Sequence, residues 1–134
     1  GEDWLKSKCI QSDEFVIGGY VNSSAMKDAI GALLLGYFDG KAFCYAGRVG
    51  TGFSYKLARD LWGRLQKMRT TGSQFAKGLT AVQRKGVVWV TPTLVAQVDY
   101  RAITADNLLR HASFKALRED KPARDVTLPA FAKA

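Results

Sequence analysis

Two apolar runs, residues 30–38 and 41–49, are separated only by the pair Asp39-Gly40. An Asp-Gly pair between apolar runs predicts a β-hairpin, because both central positions of a type I′ turn need a positive φ that these residue types tolerate. Within the second run, Phe43 and Arg48 fall on opposite faces, which is the period of two of a strand. The chain is therefore predicted to be built around an antiparallel hairpin.

Further elements surround this hairpin. A long strand is predicted over 8–21, a fourth strand over 87–90 before Pro92, and a fifth over 94–100. Ser54 is a good N-cap for a helix that runs to about Met68. That helix carries an apolar stripe at helical spacing, formed by Leu57, Leu61, Leu65 and Met68. Residues 113–119 are predicted to form a short helical turn.

The predicted order is three strands, one helix and two strands. This is the order of an OB-fold, a five-stranded Greek-key barrel whose helix lies between strands three and four. A five-stranded α+β sandwich would give a similar order, and the pattern alone leaves both open. With 134 residues, the chain has room for one domain.

The charge of the chain is strongly positive and unevenly distributed. The net charge is +8, and between Gly40 and Val98 the only acidic residue is Asp60. The basic residues proposed to contact DNA come from this block: Arg48, Lys56, Arg59, Arg64, Lys67, Arg84 and Lys85. A block of one sign attracts polyanions, which favours nucleic acid as the partner, although a solvated basic face without a partner is the alternative.

Other functional classes receive little support. No apolar run approaches the roughly 18 residues of a membrane span, and the acidic start Gly1-Glu2-Asp3-Trp4 is unlike a signal peptide. Cys9 and Cys44 are too few for a disulfide framework or a zinc site. A cytoplasmic protein is therefore expected, with no membrane partner.

Four segments resemble one known family in order and spacing. They are Trp4-Leu5-Lys6-Ser7-Lys8-Cys9 with Glu14–Tyr20, Gly31–Gly36, Tyr45–Phe53, and Leu109–Pro122, which contains Arg118-Glu119-Asp120-Lys121. Together they resemble the ATP-dependent DNA ligases, in the form carried by the bacterial ligase D family of non-homologous end joining. The first and last segments match motifs V and VI of these enzymes. The departures are Ala112 and Ala116, where the family usually has proline and glycine.

The resemblance implies roles for specific residues. Arg118 and Lys121 would orient the β- and γ-phosphates of ATP as pyrophosphate leaves, and Asp120 would fix that geometry or help to place metal. Lys6 and Lys8 would act near the α-phosphate and the adenylate. Positioning and charge neutralisation are what phosphoryl transfer requires of a protein. The alternative for the Arg118 group is a charged helix end with ordinary surface pairs.

The lysine nucleophile of the family is missing from its place. It lies in a Lys-x-Asp-Gly-x-Arg motif, whereas the one Asp-Gly here follows Tyr37-Phe38. The resemblance therefore implies a fragment of a bacterial, nucleoid-associated ligase that is inactive alone. Residues 1–8 would end a nucleotidyltransferase domain and form the hinge, residues 9–126 would form the OB-fold domain, and residues 127–134 would form a flexible tail. ATP and Mg²⁺ would serve the parent enzyme, with neither tightly bound to this domain, which is expected to be a monomer.

The implied partners are nicked or broken duplex DNA, the nucleotidyltransferase domain of the same chain, and Ku in end joining. A free-standing OB-fold binder of single strands, without catalysis, is the alternative. A pure binder has no need of an Arg-x-Asp-Lys motif. Among other residues, His111 is interpreted as a loop histidine, while Phe53 is the better candidate for an exposed contact than the core-type Trp62 and Trp89.

Overall fold

The computed structural model describes residues 10–76, 79–104, 108–118, 122–123 and 126. These residues form eight strands and two helices. In chain order they are β1 Gln11–Asn22, β2 Ile30–Asp39, β3 Ala42–Val49, α1 Tyr55–Gln66, α2 Ala81–Arg84, β4 Val87–Trp89, β5 Val95–Tyr100, β6 Ala102–Ile103, β7 Leu109–Arg110 and β8 Ser113–Leu117. The predicted bounds 1–8 and 127–134 lie outside the described residues.

The main sheet is antiparallel, with the order β3-β2-β1-β5-β8 and with β4 also paired to β1. The strand β1 is long enough to pair with β2 on one edge and with both β4 and β5 on the other. The segment between β4 and β5 also stays hydrogen-bonded to β1. The Ile17 amide donates to the Leu94 carbonyl (2.9 Å), and the Val90 amide donates to the Gly18 carbonyl (3.3 Å). The segments β4 and β5 are therefore two parts of one barrel strand, not separate fourth and fifth strands.

The fifth barrel strand is β8, which was predicted as a helical turn. It pairs with β5 through Val98↔Phe114 and Ala96↔Leu117. Lys115, Ala116 and Leu117 are good helix formers, but pairing with a sheet edge overrides such a local preference. The helical prediction for 113–119 is wrong at Ser113–Leu117, because the fold needs a strand there to cover β5.

Contacts between β8 and the end of β3 close the barrel. The Phe114 amide donates to the Thr51 carbonyl (3.0 Å), and the Thr51 hydroxyl donates to the Ala112 carbonyl (3.2 Å). The mainly β architecture is the OB-fold, as predicted from the order of elements. The first helix lies between the third and fourth barrel strands.

The hairpin between β2 and β3 is confirmed, but its turn differs from the prediction. Asp39 pairs with Ala42, so the loop consists of Gly40 and Lys41. Gly40 has a φ of 64°, and the described non-glycine residues with positive φ are Asp28 and His111. Positive φ at the first loop position only is the pattern of a type II′ turn, not type I′.

The helix α1 packs its apolar stripe on the barrel, as the spacing predicted. The Ser54 hydroxyl caps the helix by accepting from the Leu57 amide (3.1 Å), and Leu61 and Leu65 are fully buried. At its outer edge, the Trp62 indole donates to the Asn22 side chain (2.9 Å). One face of α1 is thus fixed to the barrel while the other remains exposed.

The short helix α2 lies in the polar, basic segment between α1 and β4. A capping box starts it, in which the Thr80 hydroxyl accepts from the Gln83 amide (3.1 Å) and the Gln83 side chain accepts from the Thr80 amide (2.9 Å). The two reciprocal bonds hold a single helical turn in place next to Arg84 and Lys85.

Candidate phosphate-orienting residue and basic surface

The barrel positions Arg118 at the end of β8. The Arg118 amide donates to the Val95 carbonyl (2.8 Å), which extends the pairing of β8 with β5 by one residue. The backbone of this residue is therefore set by the sheet, not by a loop or a helix end. Asp120, Lys121, Lys6 and Lys8, the other residues expected to act on ATP, lie outside the described residues.

The side chain of Arg118 reaches across β5 to β1. Its Nη1 atom lies 3.0 Å from Oε2 of Glu14, in an ion pair that is partly open to solvent. Glu14 pairs with Gln97 on β5, and Gln97 in turn pairs with Ala116 on β8. The carboxylate thus ties the last barrel strand to the first, near the start of β1.

Sequence reasoning missed this role of Glu14. The residue belongs to the first of the family-like segments, but its partner is distant in the sequence and depends on the register of three strands. A hydrophobic pattern gives strand positions without that register. The available signal was a pair of acidic residues, Asp13 and Glu14, directly before the apolar part of a long strand.

All seven basic residues predicted to bind DNA are exposed. They form two groups. One group lies on α1 and its C-cap and consists of Lys56, Arg59, Arg64 and Lys67; the other lies on β3 and at the end of α2 and consists of Arg48, Arg84 and Lys85. Asp60 lies within the first group.

The second basic group is held together by a direct contact. Arg48 on β3 donates through Nη2 to the Gln83 carbonyl at 3.2 Å, which anchors α2 to the barrel strand. Arg84 and Lys85 follow immediately, both exposed. Three cations thus share one small surface, although two of them are distant from the third in sequence.

The aromatic residues serve mainly the core. Phe75 stacks on Phe43 with ring centroids 4.6 Å apart and meets Trp89 edge to face at 6.2 Å. Phe53, which was considered only as a candidate for an exposed contact, packs on Phe114 at 5.1 Å and is half-buried. Gln66 donates to the Tyr20 hydroxyl in the interior.

Two tyrosines have perturbed acidity. Burial raises the pKa of the Tyr45 hydroxyl, and the charge of nearby Arg48 opposes this effect. Burial also raises the pKa of Tyr100, and both the hydrogen bond to Asp13 and the charge of Asp13 act in the same direction. Tyr100 is fully buried, so it is a neutral donor that satisfies a carboxylate, not an acid-base group.

Two further features concern metals and membranes. Within the described ranges, no three His, Cys, Asp or Glu side chains cluster in a way that could hold a metal ion. Neither described helix is long and apolar enough to cross a membrane.

Comparison with known proteins identifies the family. The sequence profile of the family described as "ATP dependent DNA ligase C terminal region" matches residues 26–121. The chain belongs to this family of ATP-dependent DNA ligase C-terminal regions. The matched range includes the whole basic block and Arg118.

Similar proteins are end-joining ligases. The chain is 40% identical over 128 residues to the multifunctional non-homologous end joining protein LigD of Pseudomonas aeruginosa, covering 93% of this chain and 15% of that protein. It is 38% identical over 124 residues to LigD of Mycolicibacterium smegmatis, covering 92% of this chain and 16% of that protein. The chain thus spans about one sixth of the length of these relatives.

Solved structures show the same fold. The crystal structure of the ligase domain of LigD from M. tuberculosis superposes with a TM-score of 0.84 and 36% identity, over 88% of this chain and 38% of that one. A mycobacterial DNA ligase D complexed with ATP and MES superposes with a TM-score of 0.79 and 35% identity, over 89% and 38%. The family and the OB-fold predicted from sequence are therefore confirmed.

Proposed function

We propose that this OB-fold domain works within an ATP-dependent DNA ligase of bacterial end joining. In that role it binds duplex DNA around a nick and supplies Arg118, Asp120 and Lys121 to orient the pyrophosphate of ATP during lysine adenylylation. Lys6 and Lys8 act near the adenylate. The nucleotidyltransferase domain of the same chain supplies the nucleophile, and Ku is a partner at broken ends.

The position of Arg118 carries this proposal. A guanidinium with five donors suits phosphate oxygens, and the sheet holds its backbone at the end of the last barrel strand. Because the Glu14 carboxylate binds one terminal nitrogen of Arg118, the Arg118 side chain is held extended towards β1. Mg²⁺ would neutralise phosphate charge when bound; its ligands are assigned to ATP and the nucleotidyltransferase domain.

The two steps of the reaction separate the two roles of the domain. In a ligase that contains it, Arg118→Ala should slow self-adenylylation about ten- to hundred-fold, the equivalent of roughly 1.5–3 kcal/mol for a charge-assisted hydrogen bond. Sealing of a pre-adenylylated nick should change much less. The basic variants Arg48→Ala and Lys56→Ala should show the opposite pattern, because they would weaken DNA binding and leave adenylylation intact.

Lys115→Ala is the matched control for Arg118→Ala. Lys115 lies on the same strand and also forms a partly exposed ion pair, with Asp99 at 3.7 Å. Exposed pairs of this kind contribute less than about 1 kcal/mol to stability, so neither variant should unfold. Equal loss in both steps for Arg118→Ala would refute the division of labour and reassign Arg118 to DNA binding or to holding β8.

Binding to DNA can be tested on the chain alone. The affinity for a nicked duplex should fall with salt by roughly 0.9 log units per log of salt for each phosphate neutralised, with little base preference. Anisotropy titrations at several salt concentrations give this slope. Binding that ignores ionic strength contradicts the proposal, and a strong preference for single strands supports the alternative of a non-catalytic OB-fold binder.

A further inference from the structure

The exposed face of α1 has a glycine near its centre. Gly63 is surrounded in sequence by Trp62 and Arg64, yet a side chain at this position would meet nothing within 4 Å. Its backbone has no positive φ, so neither space nor conformation requires glycine there. Glycine is among the poorest helix formers, so a glycine in the middle of the outer face of α1 destabilises the helix. This indicates a role for Gly63 other than stabilising α1.

Gly63 lies where two shallow depressions meet. The first is lined by Asp28, Tyr55, Lys56, Arg59, Asp60, Trp62 and Gly63, and the second by Arg59, Asp60, Gly63, Arg64, Lys67, Met68 and Leu94. Because both have Arg59, Asp60 and Gly63 in their walls, they form one continuous trough over the helix. The missing side chain of Gly63 keeps the trough open at its middle.

The walls of this trough are mostly positive. Lys56, Arg59, Gly63 and Lys67 follow one another at intervals of three and four residues, so they share one face of α1. Together with Arg64, the trough carries four cations and two carboxylates, those of Asp28 and Asp60. A trough with this balance of charge fits a polyanion, not an acidic or apolar protein surface.

The length of the charged face suits a nucleic-acid backbone. The eleven steps from Lys56 to Lys67, at about 1.5 Å each, span about 16 Å of helix. A span of this length leaves room for a sugar-phosphate backbone between the cations on either side of Gly63. Long basic side chains on both sides of Gly63 can reach phosphate oxygens while the sugar-phosphate backbone approaches the helix between them.

We infer that one phosphodiester strand of duplex DNA crosses α1 at Gly63, where the absence of a side chain allows the sugar-phosphate backbone to approach the helix. Lys56 and Arg59 contact phosphates on one side of the crossing, and Lys67 contacts them on the other. Gly63 is thus a position at which steric access, not charge, sets DNA affinity. This inference rests on the proposed DNA-binding function.

Substitutions at Gly63 should change stability and affinity in opposite directions. In the full 134-residue chain, Gly63→Ala and Gly63→Leu should raise Tm by about 2–4 °C, because both are better helix formers than glycine. The affinity for a fluorescein-labelled nicked duplex should fall about threefold for Gly63→Ala and tenfold or more for Gly63→Leu. A merely structural glycine would show the gain in Tm without the loss in affinity.

Two further variants complete the design. Gly50→Ala is the matched control, since Gly50 is exposed, has no positive φ, and its added methyl would lie 3.5 Å from the nearest atom, an ordinary contact. Its affinity should equal that of the unsubstituted chain. Asp60→Asn removes the carboxylate that α1 itself places in the trough and should strengthen binding about two- to threefold.

The outcomes separate the inference from the function on which it rests. If the unsubstituted chain shows salt-dependent DNA binding but Gly63→Leu and Asp60→Asn both bind with unchanged affinity, the crossing at Gly63 is wrong while DNA binding stands. If the unsubstituted chain does not bind duplex, both are overturned. Reduced affinity in Gly63→Leu with an unchanged Gly50→Ala supports the crossing.

Discussion

Gly52 should be the glycine on which closure of the barrel depends. Its φ of 95° is one that residues with a side chain rarely adopt, and a methyl group there would lie 2.4 Å from the Phe114 carbonyl oxygen and 2.7 Å from the Phe114 nitrogen. Both atoms are backbone and belong to β8, so they cannot turn aside. Gly52→Ala must therefore displace β8 or the end of β3.

The expected loss of stability has two parts. The unfavourable φ costs about 1–2 kcal/mol for a residue with a side chain, and overpacking against backbone adds roughly 1–3 kcal/mol. The sum, about 2–5 kcal/mol, is a large part of the 5–15 kcal/mol typical of a domain. For 134 residues each kcal/mol corresponds to a Tm change of about 3–4 °C, so Tm should fall by roughly 6–20 °C.

Thermal unfolding followed by circular dichroism measures this change, with Gly50→Ala as the neighbouring control expected to stay within about 2 °C. The displacement would also disturb the hydrogen bond from the Phe114 amide to the Thr51 carbonyl, which holds the strand that ends at Arg118. In the proposed ligase, adenylylation should therefore weaken as well. A Gly52→Ala chain as stable as the unsubstituted one would refute the steric argument.

Three further predictions concern the cap of α1, the buried tyrosine and the missing nucleophile. Ser54→Ala should reduce the free energy of unfolding by about 1 kcal/mol in denaturant titrations, because the Leu57 amide loses its acceptor; an unchanged midpoint would contradict the cap. Since the pKa of Tyr100 is raised in the folded state, its stabilising contribution is complete below the unfolded pKa of about 10 and declines as pH rises above it. Tyr100→Phe should weaken that alkaline decline and lower stability by roughly 1–2 kcal/mol near neutral pH, as Asp13 loses a donor; equal alkaline slopes in both chains would argue against it. Incubation of the chain with labelled ATP and Mg²⁺ should leave it unlabelled, because Tyr37-Phe38 precede its Asp39-Gly40 pair; a lysine–AMP adduct would contradict the assignment.

Family and fold class were predictable from sequence for different reasons. Motif-like segments carry residue identities that phosphate chemistry requires, so Arg118 could be singled out without a structure. Strand periodicity and the turn at Gly40 are local properties, and they predicted the hairpin of β2 and β3. The cap at Ser54 and the stripe of α1 are equally local and were also correct.

The fifth strand shows where local reasoning fails. Helix-forming residues at 115–117 indicated a turn of helix, yet the segment completes the barrel as β8. The count of five strands was right only because one barrel strand, divided into β4 and β5, was counted twice. An exposed sheet edge beside β5 outweighs a helix preference of a few tenths of a kcal/mol per residue.

The charge of this protein, its family-like motifs and the elements with local patterns were all predictable from the residues without a structure. Tertiary structure alone decided that Glu14 meets Arg118 across β5, and that Arg48 joins Arg84 and Lys85 through a carbonyl of α2. It also decided that the basic residues of α1 surround an open position at Gly63. Pairing register and barrel closure bring together residues that lie far apart in the chain. The periodicity of a single element cannot specify which distant residues come into contact.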